Sequence, residues 1–93
     1  MAVRFLIPGP LQQFSDGHRS VTVDGAPGTV RDALVALGAR HPGVRDRVIT
    51  ERGEIRPHVN LFVGEENVRD ARGLDTSVPT DGEIAILPAV SGG

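Results

Sequence analysis

The chain has 93 residues, a net charge of −2 and an apolar fraction of 39%. This length predicts a single domain with one modest core. Three phenylalanines are the only aromatic residues and basic residues are not in excess, so neither base stacking nor phosphate-backbone binding is indicated and we expect no nucleic-acid partner. The absence of cysteine excludes disulfides and thiolate chemistry. Without a signal-peptide pattern or an apolar run long enough to span a bilayer, we expect a cytoplasmic protein with no membrane partner.

The first two apolar runs predict a β-hairpin. Val3, Phe5 and Ile7 share one face of residues 3–7, and Val21 and Val23 share one face of residues 19–23, which is typical of strands with one buried face. Turn-forming residues lie between them, at 8–10 and 15–17. We therefore expect two antiparallel strands joined by a longer loop, with Leu11 and Phe14 at the edge of the core.

The next segment predicts the main helix. Thr29 stands where an N-cap is expected, and Asp32 follows three residues later as an approximate capping box. Apolar residues then recur at helical spacing up to Leu37. The His-Pro-Gly sequence at 41–43 is expected to end this helix, and residues 44–49 predict a short second helical turn.

The remaining chain predicts three strands, at residues 55–63, 68–70 and 83–87, with turns at 64–67 and 79–82. The fold class is therefore α+β, a mixed four- to five-stranded sheet with one main helix packed on one face. Alternation within the strands assigns the inward positions. They are Val3, Phe5, Ile7, Val21, Val23, Val59, Leu61, Ile84 and Ile86, facing Val30, Leu34 and Leu37 of the helix.

This assignment leaves three large apolar residues, Leu6, Phe62 and Leu87, on the open face of the sheet. An exposed cluster of this kind is typical of an interaction site, although scattered exposed apolar residues are also normal. Leu87 lies on the strand that leads into the C-terminal segment, which favours the interaction site.

No pattern in the chain indicates a catalytic, metal or cofactor site. His18, His41 and His58 fall in three different predicted elements without the spacing of metal ligands. The glycine-containing loop at 24–28 lacks the lysine and the spacing of a phosphate loop. We therefore expect no catalytic residues, no bound cofactor, and a protein that is not itself an enzyme.

The C-terminal segment differs from the rest. After Pro88, residues 89–93 end in Gly92-Gly93, and we expect a folded domain at 1–88 followed by a flexible tail at 89–93. An α-carboxylate is ionised at neutral pH and becomes an acyl donor only after activation, for instance by adenylation with ATP. Two residues without side chains suit a narrow active site on a partner.

Three stretches carry a resemblance to a known family. They are Val-Asn-Leu-Phe-Val at 59–63, Asp-Gly-Glu-Ile-Ala-Ile-Leu-Pro at 81–88, and Gly92-Gly93. The chain resembles the MoaD/ThiS family of ubiquitin-like sulfur carriers, and its residues 86–93 are especially similar to the CysO-type carriers that feed actinobacterial cysteine synthesis. The resemblance implies a β-grasp fold.

The resemblance also implies a function. An E1-like adenylyltransferase and sulfurtransferase would use ATP and Mg²⁺ to activate Gly93, which then becomes a thiocarboxylate. The acceptor would be a cysteine synthase, a thiazole-synthase-like enzyme or the large subunit of molybdopterin synthase. Implied site residues are Gly93 for activation, Val90, Ser91 and Gly92 for threading into the partner, and Leu6, Asn60, Phe62 and Leu87 for docking.

Two alternatives stay open. A ubiquitin-like modifier would be joined through Gly93 to target lysines, and the chain itself has no lysine. A β-grasp binding module would use an arginine-rich contact surface instead. Its candidate residues are Arg40, Arg45, Arg47, Arg52 and Arg56.

Overall fold

The computed structural model describes residues 2–25 and 28–88. The strands are β1 Ala2–Leu6, β2 Ser20–Asp24, β3 Val59–Val63, β4 Glu66–Asn67 and β5 Glu83–Pro88, and the α-helices are α1 Val30–Arg40 and α2 Pro42–Val48. Short 3-10 helices occupy Gly9–Phe14, Val68–Asp70 and Gly73–Asp75. No helix within the described ranges has the length and apolar character that a membrane span requires.

The five strands form one mixed sheet in the order β2-β1-β5-β3-β4. β1 and β5 are parallel neighbours at its centre, with Phe5 opposite Ile84. β2 pairs antiparallel with β1, and β3 pairs antiparallel with β5. The strand nearest the start of the chain therefore pairs with the one nearest its end, and the predicted α+β class is confirmed.

Both α-helices cover the same face of the sheet. Every position predicted to point inward is buried, and Phe5 and Leu61 are 0% exposed. The core also includes residues that were not assigned to it from sequence, among them Val44, Val48, Val68 and Val78. Leu11 and Phe14 are partly buried against the core, as expected.

The start of α1 follows the sequence prediction. The Thr29 hydroxyl accepts a hydrogen bond from the Asp32 backbone N–H at 3.2 Å, which satisfies one of the donors left free at a helix N-terminus. At its other end, Arg40 Nη1 donates to the Thr22 carbonyl at 2.7 Å and joins α1 to β2. Pro42 begins α2 directly afterwards, a position where its missing N–H costs little.

Two strand predictions were wrong in their bounds. Within the strand predicted at 55–63, only Val59–Val63 pairs regularly, and Ile55 makes an isolated bridge to Ile49. The strand predicted at 68–70 is the 3-10 helix Val68–Asp70, whereas β4 lies at Glu66–Asn67, where a turn was predicted. The Asn67 side chain accepts from the Arg69 N–H at 3.0 Å and turns the chain there, so Val68 is buried in the core instead of extending the sheet.

Candidate functional site

The open face of the sheet carries a contiguous apolar patch. Leu6 on β1 lies opposite Ala85 on β5, which lies opposite Phe62 on β3, so the three form one row across the sheet. In the neighbouring row on the same face, Leu87 lies opposite Asn60. We call Leu6, Asn60, Phe62, Ala85 and Leu87 the open-face patch.

The patch remains accessible in the folded chain. Leu6 is 36% exposed and Leu87 46%, while Phe62 and Asn60 are half-buried. The four residues predicted for docking are therefore brought together on one surface. Ala85 was not named as a site residue, although its alternation with Leu87 on one strand placed it on this face. In the row across the sheet, the small side chain of Ala85 lies between those of Leu6 and Phe62. An exposed apolar surface of this kind is a candidate docking site.

One exposed ion pair lies beside the patch. The Arg4 guanidinium is 3.2 Å from the Glu83 carboxylate, across the parallel pair of β1 and β5 and on the same face as Leu6 and Ala85. Both side chains are largely exposed, so solvent screens the pair and its contribution to stability is small. Its opposite charges leave this border of the patch locally neutral.

A tight turn fixes where β5 begins. The Gly82 N–H donates to the Pro79 carbonyl at 2.9 Å, and the Arg4 N–H donates to the Gly82 carbonyl at 3.0 Å. Asp81 takes a φ of 60°, a left-handed conformation that aspartate tolerates better than most residues. Its carboxylate accepts from the Ala2 N–H at 3.2 Å. The turn therefore sets the register of β5 on β1, and with it the position of the patch.

An arginine side chain supports the other end of β5. Arg69 Nη2 donates to the carbonyls of Arg56 at 2.7 Å and Val59 at 2.8 Å, which holds the start of β3. That start pairs with the end of β5, since Val59 lies opposite Pro88. Sequence reasoning missed Arg69, and no sequence signal identifies it because its acceptors are backbone carbonyls elsewhere in the chain.

The predicted reactive segment follows this point. Val90, Ser91, Gly92 and Gly93 lie outside the described residues, as does the predicted boundary between the domain and its tail. What the structure does place is β5 itself, which extends through Leu87 to Pro88. Ala85 and Leu87 of the open-face patch thus lie on the strand that directly precedes the predicted reactive segment in the sequence.

Comparison with known proteins decides the family. The model of the ThiS family matches residues 5–93. The chain belongs to the ThiS family. The sulfur carrier protein CysO of Mycobacterium tuberculosis is 33% identical over 95 residues, covering all of both chains. The small archaeal modifier protein 1 of Haloferax volcanii is 38% identical over 78 residues, 83% of this chain and 85% of that protein.

Solved structures agree on the fold of this ThiS-family chain. A chain in the crystal structure of the Amycolatopsis orientalis BexX/CysO complex superposes with a TM-score of 0.88 at 34% identity, covering 99% of this chain and 100% of that one. The implied ubiquitin-like β-grasp fold is thereby confirmed.

The three histidines of this family member lie apart. His41 is buried at the junction of α1 and α2, His18 Nδ1 is 2.8 Å from the Ser15 carbonyl oxygen, and His58 is exposed just before β3. Within residues 2–25 and 28–88, no group of three or more His, Cys, Asp or Glu side chains is placed to hold a metal ion.

The five arginines proposed as an alternative contact surface separate into two groups. Arg45, Arg52 and Arg56 line one recess beside α2. Arg47 instead stacks over the Phe14 ring, with its guanidinium carbon 4.5 Å from the ring centroid, and Arg40 is bonded to β2 as described. Arg47 also lines a neighbouring recess together with Arg56, so four of the five line adjoining recesses and Arg40 stands apart.

Proposed function

We propose that this ThiS-family chain is a sulfur carrier whose C-terminal Gly93 is activated by a partner enzyme. The observation that supports this most directly is the open-face patch, because two of its residues, Ala85 and Leu87, lie on β5, the strand that precedes Gly92 and Gly93 in the chain. A partner that docks on Leu87 is thereby positioned to receive the residues that follow it.

The chemistry assigned to Gly93 is acyl activation followed by sulfur transfer. The Gly93 carboxylate attacks the α-phosphate of ATP, pyrophosphate leaves, and an acyl-adenylate forms. Hydrosulfide then displaces AMP at the carbonyl carbon and leaves a thiocarboxylate. If the nucleophile is instead a persulfide on the partner, the acyl disulfide that forms yields the thiocarboxylate when a thiol reduces its S–S bond and is itself oxidised to a disulfide. ATP and Mg²⁺ belong to the E1-like partner, and the chain itself binds no cofactor and acts as a co-substrate.

The open-face patch is the proposed docking surface for this partner. Leu6, Phe62 and Leu87 offer apolar area that association would remove from water, which is the dominant favourable term in most protein association. Asn60 adds a polar group opposite Leu87 and on the same strand as Phe62. Since Val90, Ser91 and Gly92 follow Leu87 closely, docking on the patch would deliver them to the partner's active site.

The proposed acceptor is a biosynthetic enzyme that takes sulfur from the Gly93 thiocarboxylate. The relatives named CysO favour a cysteine synthase. A thiazole-synthase-like enzyme and the large subunit of molybdopterin synthase are the other candidates. In each case the acceptor performs the chemistry and the carrier supplies one activated sulfur atom.

Intact-mass spectrometry tests the proposal. The full chain is incubated with ATP, Mg²⁺, a sulfur source and the E1-like enzyme of its own organism. We expect the mass to increase by the difference between one sulfur and one oxygen atom, with the change located at Gly93 by fragmentation.

A variant lacking Gly92 and Gly93 is the matched control and is expected to keep its mass. If the full chain is also unchanged while a known carrier is converted by the same enzyme, the proposal fails. Unaltered function in cells that carry only the truncated variant would equally contradict it, and would favour the binding module.

A second function has one specific observation in its favour. The small archaeal modifier protein 1 is similar to this chain in sequence, and its name describes a modifier. In that function the adenylate of Gly93 would acylate the side-chain amine of a target lysine, with release of AMP. Proteins bearing Gly93 in an isopeptide bond, found by peptide mass spectrometry after the same reaction, would distinguish this fate from thiocarboxylate formation.

A further inference from the structure

A groove crosses the helical side of the molecule, on the face of the sheet away from the open-face patch. Three adjoining recesses form it: the first and second share Arg45, Ile49 and Gly53, and the second and third share Arg31, Gly53 and Leu74. We call this surface the helix-side groove, defined by Arg31, Val35, Arg45, Ile49, Gly53 and Leu74.

The middle of the helix-side groove is apolar. Val35, on the outer side of α1, is 61% exposed, more than any other large hydrophobic residue in the described chain. It lies beside Ile49 and Leu74 at a hollow of about 60 Å³. On this measure a single water needs about 10–15 Å³, so the hollow has room for the end of one aliphatic side chain.

The borders of the groove are rich in arginine. Six of the ten arginines of the chain line its three recesses, but only four of the twelve acidic residues do. Two of those acids already face arginines, Asp75 at 3.3 Å from Arg31 and Asp46 at 3.8 Å from Arg45. In a chain of net charge −2, this surface is therefore locally positive, and its charge is arranged around an apolar centre.

The loop that carries Arg52 is closed by its own hydrogen bonds. The Thr50 hydroxyl accepts from the N–H groups of Arg52 and Glu54, each at 3.2 Å, and the Thr50 N–H donates to the Glu54 carbonyl at 2.8 Å. Gly53, at the meeting point of the recesses, has a φ of 79° that an L side chain rarely adopts. The backbone around the groove is thus already formed, which lowers the ordering cost of binding.

We infer that the helix-side groove docks an acidic segment of a partner protein, in which one aliphatic residue is flanked by carboxylates. The aliphatic side chain occupies the hollow beside Val35, and the carboxylates face Arg31 on one side and Arg45 and Arg52 on the other. The acidic residues along the groove interrupt its positive surface, so it suits separate carboxylates better than a continuous phosphate backbone.

This docking surface is independent of the proposed sulfur-carrier function. None of the residues of the open-face patch lines the three recesses. Since the two surfaces lie on opposite sides of the sheet, one partner can occupy the groove while another binds the patch. The groove would therefore allow the chain to be held by one protein while its C-terminus is processed by a second.

A peptide titration tests the inference. The probe is an acetylated and amidated peptide, Glu-Asp-Leu-Asp-Glu, added to the ¹⁵N-labelled full chain and followed by amide chemical shifts. We expect saturable shifts at Arg31, Val35, Arg45 and Gly53, with a dissociation constant of about 1 mM or lower. Binding should weaken as salt is added, because screened charges carry part of it.

Two variants on one helix make the test specific. Arg45→Glu is expected to weaken peptide binding about fivefold or more, since it reverses a charge at the border of the groove. Arg47→Glu is the matched control, because it makes the same charge change on α2 but its side chain stacks on Phe14 outside the groove. Its dissociation constant should stay within about twofold of that of the unmodified chain.

Several results would overturn the inference. Equal binding of a peptide with serine in place of leucine would reduce the interaction to charge alone, and equal effects of the two arginine variants would place it elsewhere. Shifts confined to the open-face patch, or no shifts at all, would exclude the groove. If the groove amides shift with protein concentration before peptide is added, the occupant is a second copy of this chain.

Discussion

The two faces of the sheet use the same residue types for different purposes. Three strands each have a pair of adjacent apolar residues divided between the faces: Phe5 and Leu6, Leu61 and Phe62, and Ile86 and Leu87. The inner member of each pair is at most 1% exposed, whereas Leu6 and Leu87 on the outer face are 36% and 46% exposed. Composition alone does not distinguish the members of a pair, because only their direction from the strand differs.

The difference shows which apolar residues stabilise the fold. Burial removes about 25 cal/mol of unfavourable hydration per Å² of apolar surface, and the inner residues obtain this from α1 and α2. Much of the outer apolar surface stays in water and gains this energy only when a partner covers it. Substitutions on the inner face should therefore change stability, and those on the outer face should change association.

The largest expected effect on stability is on the inner face of β3. Leu61→Ala should lower the free energy of unfolding by about 2–5 kcal/mol, since it removes methyl groups from a fully buried site and leaves a cavity. Urea unfolding followed by circular dichroism measures it. Phe62→Ala, one residue further and on the outer face, is the control and should cost less than about 1.5 kcal/mol. Equal losses would mean that the two faces contribute alike to stability.

The next effect concerns association at the open-face patch. Phe62→Asp should weaken the complex with the proposed E1-like partner about 30-fold or more, because it places a charge where the proposed docking surface has an aromatic residue. Isothermal titration calorimetry measures the affinity. Val35→Asp introduces the same charge at an exposed apolar residue on the helical side and should leave this affinity unchanged. An unaltered affinity in Phe62→Asp would show that the partner docks on another face.

A substitution at the start of α1, which covers the inner face, should change stability by a smaller amount. Thr29→Ala should destabilise the protein by about 1 kcal/mol, since the Asp32 N–H at the start of α1 loses its hydroxyl acceptor. Thermal unfolding monitors the change, and the exposed turn residue Thr80 provides the control substitution Thr80→Ala. If both variants unfold alike, the cap does not contribute to the stability of α1.

The smallest effect belongs to the polar part of the open face. A double-mutant cycle with Arg4→Ala and Glu83→Ala should give a coupling free energy of about 0.2–1 kcal/mol, as for other exposed ion pairs. It should fall further in high salt because mobile ions screen the pair. A coupling above about 2 kcal/mol would instead indicate that solvent screens this border of the patch only weakly.

Much of the fold and part of the site followed from local sequence patterns. Every strand position that alternation along β1, β2, β3 and β5 assigned inward is buried, and Thr29 marked the start of α1. The same alternation placed Leu6, Phe62 and Leu87 on the outer face. These predictions succeed because side-chain direction in a strand, and capping at a helix start, depend on neighbouring residues.

The tertiary structure alone decided how these elements combine. The parallel pairing of β1 with β5 joins residues almost eighty positions apart, and no local pattern specifies which strands become neighbours. The same holds for Arg69, whose two carbonyl acceptors come together only when β3 is in place, and for the 3-10 helix Val68–Asp70, where burial of Val68 prevails over strand formation. The sequence by itself thus determined which strand positions point inward or outward and the family to which the chain belongs, whereas long-range packing completed the core, brought the outer residues into one patch and formed the helix-side groove.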